Sequence, residues 1–289
     1  MNKKSLLLLL VGCGSAAFGA QQYKSWSLTV QPYVTYIDYS NSKYKNWGYS
    51  ATLYGALSLS FGKHLFEGAV GTTHLDYKDG YTNWNQSDYT FAYTNYVFFP
   101  WYGKVGFHYI TTPNTHFSDD GKIYFGDIGY ISRYKWDAGL FLSYSDYRRD
   151  IDATEARFHG GFYRWLDYWR GFYFSSDITG IHINGKNQLG VSKKNYLSVG
   201  VGATYFTARY KVGAQLWAGQ RTLMVDNGGF VVYNLRERYR GGVKLSGTYY
   251  LRKNIWLNAE VGYDNYKELS PSNKSVNVVS TTISIGYAF

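Results

Sequence analysis

Two sets of residues carry chemistry in their types and spacing. The first is His116-Phe117-Ser118-Asp119-Asp120-Gly121, with Asp150 further on. A His two positions from a Ser offers a base for a nucleophilic hydroxyl, provided a rigid element holds both within hydrogen-bond reach. The same His with Asp119, Asp120 and Asp150 offers carboxylate and imidazole groups for general acid–base work on water. Against both readings, Asp-Asp-Gly is ordinary turn chemistry in a loop tip. The second set is Arg236, Arg238, Arg240 and Lys244. On an extended chain this even spacing puts all four cations on one face. Such a column either favours anions or pairs with carboxylates as a brace, and Glu260 and Asp264 supply carboxylates in the next extended segment. The remaining histidines, His64, His74, His108, His159 and His182, show no metal-ligand spacing, and no Gly-rich phosphate loop opens a helix. No metal or cofactor is expected.

The elements that must hold these groups are strands. The chain is 20% aromatic, with 32 Gly and only 4 Pro. Side chains alternate with a period of two over segments of about ten residues, separated by turn residues. The clearest case alternates Ala51, Leu53, Gly55, Leu57, Leu59 and Phe61 with Thr52, Tyr54, Ser58 and Ser60. Strands are predicted over about 25–39, 49–61, 65–77, 87–99, 104–112, 122–133, 136–147, 156–166, 171–183, 195–207, 211–222, 235–250, 255–266 and 276–289. That is about fourteen strands, with twelve or sixteen as the alternatives, and the connections between them alternate long and short. Nothing after residue 20 is apolar for long enough to cross a bilayer as a helix.

The last segment puts Val279, Thr281, Ile283, Ile285, Tyr287 and Phe289 on one face and small or polar residues on the other. It resembles the closing strand of Gram-negative outer-membrane β-barrels, in which a terminal Phe and an aromatic two residues earlier are read by the barrel-assembly machinery. Here Tyr287 and Phe289 take those places and Thr282 stands where the pattern has a polar residue, while Ser284 stands where the pattern often has Gly. The resemblance implies an all-β fold, a transmembrane antiparallel up-and-down barrel in the cell outer membrane, surrounded by lipid and lipopolysaccharide. Residues 1–19 read as an export signal, with Lys3 and Lys4 before an apolar run and cleavage near residues 19 and 20. A competing lipobox reading would lipidate Cys13. Residues 20–289 then form one barrel.

Within such a barrel, the lipid face of the 235–250 strand is read as Tyr239, Gly241, Val243, Leu245, Gly247 and Tyr249, which turns the cation column into the lumen. A cation left near the lipid midplane would cost roughly 2–4 kcal/mol. The same phase logic points Lys211, Arg221 and Arg157 inward, with Glu260 and Asp264 beside the column. A basic ring favours anions, so the expected function is a porin-like channel for passive diffusion of small, anionic solutes; an internal bracing network without selectivity is the alternative. In strand count and length the chain resembles small monomeric fourteen-stranded porins, and no trimer-contact signature is visible, so a monomer is favoured. The loop at 223–234 is one that could fold in and narrow the bore.

Other barrel functions have their own signatures. Outer-membrane phospholipases carry His-x-Ser-Asn-Gly; the stretch from His116 resembles it, with Asp119 in place of the Asn and an extra residue before Gly121. Barrel proteases use acidic pairs with an Asp–His pair near the rim. The chain is not expected to be an enzyme, and a non-conducting structural or assembly barrel is the other alternative. The formal net charge of +10 would suggest nucleic acid in a cytoplasmic protein; in an exported barrel no nucleic-acid partner is expected. Lys193 and Lys194 suit the phosphates of lipopolysaccharide from outside.

Overall fold

The computed structural model describes residues 25–112, 117–133, 135–191, 193–269 and 272–289. The proposed export signal and Cys13, His116, Pro113 and Pro271 lie outside the described residues. Fourteen strands close one antiparallel barrel. In chain order they are β1 (Trp26–Ser40), β2 (Lys45–Leu59), β3 (His64–Tyr77), β4 (Trp84–Asn95), β5 (Trp101–Thr111), β6 (Gly121–Ser132), β7 (Trp136–Tyr147), β8 (Ile151–Trp165), β9 (Gly171–Asn184), β10 (Asn195–Phe206), β11 (Tyr210–Arg221), β14 (Glu237–Arg252), β15 (Ile255–Glu268) and β16 (Ser275–Ala288). Each pairs with its barrel neighbours in sequence, and β1 closes on β16. The connection from β11 to β14 holds a two-residue hairpin, β12 (Val225–Asp226) and β13 (Val231–Val232). A one-turn helix, α1 (Lys186–Leu189), lies between β9 and β10.

The outer wall follows from the period of two. Leu53, Val70, Phe91, Ile128, Phe158, Val201, Leu245 and Ile283 stand exposed around the middle of the barrel. A soluble protein does not leave so continuous an apolar belt in water; in a bilayer the belt is where lipid chains lie. Aromatic stacks bound it at both ends. Tyr36, Trp47 and Tyr49 stack at the end carrying the longer connections, and Trp101, Tyr130 and Trp136 at the end carrying the chain termini. Short turns with exposed Phe61, Phe98 and Trp169 sit at that second end, which the outer-membrane resemblance makes the periplasmic one, and the opposite end the external one.

The alternation of long and short connections has two exceptions: the first connection, residues 41–44, is no longer than the turn at 60–63 that follows it, and the seventh is short as well. The expected link from Arg148 to Glu155 spans only residues 148–150, and β8 begins at Ile151. Its charged composition reads as a loop, yet Ile151, Ala153 and Glu155 all point inward and are buried. The strand tolerates Glu155 because partners inside the barrel meet its carboxylate, as described next.

The interior also departs from the polar lumen expected of such a barrel. Ile110, Ile123, Phe125, Phe141, Ile151, Ile181 and Ile183 point inward from β5 to β9 and form a buried apolar cluster. They are apolar because a loop packs on them. Leu223, Met224 and Val225 of the β11–β14 connection and Leu189 beyond β9 complete the cluster, each nearly solvent-free.

Candidate functional site

The β11–β14 connection is folded into the lumen, and this positions the site. Its tip follows from glycine: Gly228 and Gly229 have φ of 60° and 100°, a region that L side chains enter at a cost. A Cβ on Gly229 would fall inside the Phe125 ring of β6, so the chain approaches the wall as closely as backbone allows. The tip spans the bore. His108 of β5 contacts the Gly229 carbonyl through Nδ1 at 3.0 Å, Phe230 packs edge-on to Tyr54 of β2 at 5.5 Å, and Lys104 of β5 sits 5.1 Å from the Phe230 ring centre. Lys104 is in turn held by Glu67 of β3 at 3.0 Å.

The loop's root is fixed by ionic contacts. Arg157 of β8 donates to Glu155 from Nε at 3.1 Å and Nη2 at 2.6 Å. Its Nη1 reaches Asp226 at 3.1 Å, and Nη2 also donates to the Val225 carbonyl. The Val225 N–H closes the circuit onto Glu155 Oε2 at 2.8 Å. Arg157 is therefore in the lumen, as its phase requires, and spends its fork on the loop. Arg221, at the loop's start, lies 4.1 Å from the Trp217 ring centre, donates to Ser198 at 2.8 Å and faces Asp177 at 3.6 Å. Lys244 pairs with Glu260 at 3.1 Å, and Asp264 accepts from Trp217 Nε1 at 3.0 Å. Lys211 points inward near the periplasmic end, 5.9 Å from the Tyr250 ring centre.

Three of the four cations in the expected column are not in the lumen. A β-bulge between Tyr239 and Gly241 leaves Arg240 without a partner residue on β15. One extra residue reverses the phase of everything beyond it. Gly242 and Lys244 face in, and on the other side of the bulge Tyr239 also faces in, where its ring meets Tyr266 at 5.3 Å and Tyr233 of the infolded loop at 5.0 Å. Tyr239 is thus not on the lipid face, and Arg238 and Arg240 lie on the face opposite to it. Arg240 is exposed and donates to Ser275 of β16 at 3.1 Å. Arg236 precedes the strand altogether, in the external connection, 5.8 Å from the Phe117 ring centre. The column assumed unbroken pleating through residues 236–244, and the bulge removes that premise.

Several inward groups that the sequence did not single out matter more. Glu67, Asp88, Lys104, His108, Asp127, Asp137, Glu155 and Asp177 all face the lumen by register, and Asp226 joins them from the loop. Asp127 meets His159 at 3.1 Å, and Asp88 meets His108 at 3.0 Å. For some of them the signal was present: Glu67, Lys104 and Asp127 hold in-phase positions between apolar or glycine outward neighbours, as Asp127 does between Gly126 and Ile128. Counted with Glu260 and Asp264, the inward carboxylates outnumber Lys104, Arg157, Lys211, Arg221 and Lys244.

Below the infolded loop, on the β11–β15 wall, the lumen holds water-accessible polar groups. Gln215 and Ser246 point inward yet are exposed. The Lys244 and Glu260 side chains of the ion pair remain 43% and 36% exposed. The wall there is polar and open while the β5–β9 wall is filled.

At the external rim the Phe117–Asp120 segment forms a turn. Gly121 N donates to Ser118 O at 3.1 Å, Asp119 accepts from the Thr112 N–H at 2.9 Å and pairs with Arg148 at 2.7 Å, and Asp120 accepts from Tyr109 at 2.9 Å. Hydrogen bonds hold the Asp120 carboxyl below the usual carboxylate range, chiefly the one from Tyr109. Among the described residues no cluster of His, Cys, Asp and Glu is placed to hold a metal ion. At the chain end Tyr287 and Phe289 stand exposed on the outer face with ring centres 4.6 Å apart, and Phe289 N donates to Leu28 O at 2.9 Å.

No protein-family profile matches the chain, and no curated protein matches it in sequence. Solved structures match it in fold. Over 93% of this chain and 90% of the other it superposes on the CymD monoaromatic hydrocarbon channel, with a TM-score of 0.57 at 9% identity. A bacterial polysaccharide outer membrane secretin gives 0.54 at 6% identity, covering 91% of this chain and 98% of that one. The TodX deltaS2S3 mutant monoaromatic hydrocarbon channel gives 0.52 at 8% identity, covering 92% and 90%. At such identities the likeness concerns the fold. A closed fourteen-stranded antiparallel barrel with a continuous apolar outer belt and these structural neighbours is the fold of a Gram-negative outer-membrane β-barrel protein.

Proposed function

We propose that the protein is an outer-membrane channel for small solutes, with its bore set by the infolded connection of residues 222–236. The observation that carries this reading is the exposure of Gln215, Ser246 and the Lys244–Glu260 pair inside a closed wall. An interior filled for stability alone would bury those groups, as it buries Ile110 and Ile183 on the opposite wall. Two fold neighbours, CymD and the TodX deltaS2S3 mutant, are monoaromatic hydrocarbon channels, which supports the same reading.

The charge preference follows from the inventory of the bore. Two members of the presumed basic column face away, and the remaining cations are matched by more numerous carboxylates. Fixed charge lining a pore selects counter-charge, so this lumen favours small cations or neutral polar solutes over anions. Tyr287 and Phe289 act in this proposal as the assembly signal of the barrel, and export delivers it to the outer membrane.

Single-channel conductance of the refolded protein in a planar bilayer, with a salt gradient across it, tests the reading. Ohmic steps with a reversal potential on the cation side support it. Absence of steps from a folded, heat-modifiable barrel sinks the channel and leaves a structural barrel. Steps with anion preference keep the channel and remove the charge assignment.

A further inference from the structure

The bulge at Arg240 has a second consequence, on the outside. Arg238 of β14 and Lys267 of β15 are register partners, so two cations stand directly opposite each other, an arrangement that is unfavourable for like charges on paired strands. Arg240 reaches over β15 to Ser275 of β16, and Ser275 is itself the partner of Lys267. Arg240 therefore reaches the row of the outer wall that holds Lys267, and Arg238 is the register partner of Lys267 in the same row. Beside them on that face are Asn265 and Asn277, which bond to each other at 2.8 Å. None of Arg238, Arg240 and Lys267 forms an ion pair among the described residues. An anion bound over the paired cations removes that repulsion.

Height decides which anion. The apolar belt begins on these strands at the paired row Val243, Tyr263 and Val279. Lys267 lies four residues beyond Tyr263, about 13 Å along the strand, which a tilt of about 45° reduces to roughly 9 Å above the belt. That is the level of lipid headgroups. The external end of the barrel is the end bathed by the outer leaflet.

We propose that Arg238, Arg240 and Lys267 bind a phosphate of the outer-leaflet glycolipid, lipopolysaccharide. The planar arginine forks donate N–H bonds in pairs to phosphate oxygens, the ammonium adds a point charge, and the lipid's chains descend over Val243 and Val279. This site is independent of the channel reading, because it lies on the opposite side of the wall.

The refolded protein in neutral detergent is titrated with lipopolysaccharide and with the same lipid stripped of its phosphates. EDTA is present so that bridging divalent cations carry nothing, and bound lipid is read by native mass spectrometry. The phosphorylated lipid is expected to bind more tightly, and R240Q/K267Q to weaken it by about 25-fold, at roughly fivefold per cation. Lys211→Gln, a lumen cation, leaves binding unchanged. Heat-modifiability shows that the double variant is folded; if it is not, the same titration of the native protein at rising salt replaces it, with binding expected to weaken. Equal binding of the stripped lipid, binding indifferent to R240Q/K267Q or to salt, or full displacement by millimolar inorganic phosphate would each overturn the proposal.

Discussion

Arg157 of the barrel wall and Asp226 of the infolded loop are joined at 3.1 Å, and this contact ties a connection 69 residues away to the inside of β8. The same guanidinium neutralises Glu155, whose side chain is 1% exposed. Removing Arg157 therefore strands a buried carboxylate as well as freeing the loop. Breaking one side of a buried pair costs about 3–5 kcal/mol. Arg157→Ala is expected to lower the barrel's thermal midpoint and to make the conductance flicker, and R157A/E155Q to recover much of the midpoint without quieting the flicker. Recovery of both would mean that Arg157 serves the wall alone.

Gly229 separates loop placement from backbone strain. Gly229→Val puts branched carbons into the Phe125 ring, which expels the tip from the bore; a larger unit conductance is the expected result. Gly80 also has positive φ, of 89°, but its Cβ would meet nothing within 4 Å. Gly80→Val strains an external turn to a similar degree and should leave conductance unchanged.

Ion selectivity distinguishes the two faces of β14. Arg238→Ala and Arg240→Ala should leave the reversal potential in a salt gradient where it was, because both residues lie outside the lumen. Lys244→Gln should move it toward cations and Glu260→Gln toward anions. A shift with Arg240→Ala equal to that with Lys244→Gln would contradict the bulge.

Trp256 and Gly286 are partners on β15 and β16, and the fully buried indole lies over the glycine. A Cβ at Gly286 would overlap that ring. Overpacking of this kind costs about 1–3 kcal/mol, so Gly286→Ala should lower the midpoint of the heat-modifiability transition. Gly247→Ala, with nothing within 4 Å of its Cβ, should not.

Asp167, in the periplasmic turn between β8 and β9, accepts N–H bonds from Trp169 at 2.9 Å and Arg170 at 2.8 Å. The Trp169 N–H first, then the Arg170 side chain, hold its carboxyl below the usual range. A depressed carboxylate contributes order that is present above its ordinary pKa and is lost as pH falls through the depressed value. Hydrogen exchange at the Trp169 amide should therefore stay protected from neutral pH to below the ordinary carboxylate pKa and open in stronger acid. Asp167→Asn should open it at every pH.

What could be read in advance was whatever acts on each residue locally. Lipid makes the same demand on every second side chain of a spanning strand, so Ala51, Leu53, Gly55 and Leu57 announce their face without knowledge of any partner. The fourteen strands, their closing aromatic pair and the inward phase of Arg157, Arg221, Lys244, Glu260 and Asp264 follow from that period. A period of two is nonetheless silent about where the pleat breaks. Arg236, Arg238 and Arg240 read as one column with Lys244 because nothing in the local sequence marks the extra residue opposite Tyr266. Only the pairing of Tyr239 with Tyr266, and the packing of both against Tyr233, reverses the face. The infolded loop is likewise a product of distance. Val225 and Asp226 are ordinary loop residues until Glu155 and Arg157 meet them across the lumen, and Ile110, Ile123 and Ile183 look misplaced on an inner wall until Leu223 and Met224 cover them. Outward positions answer to a uniform solvent and are legible one at a time; inward positions answer to each other and wait on the closed barrel.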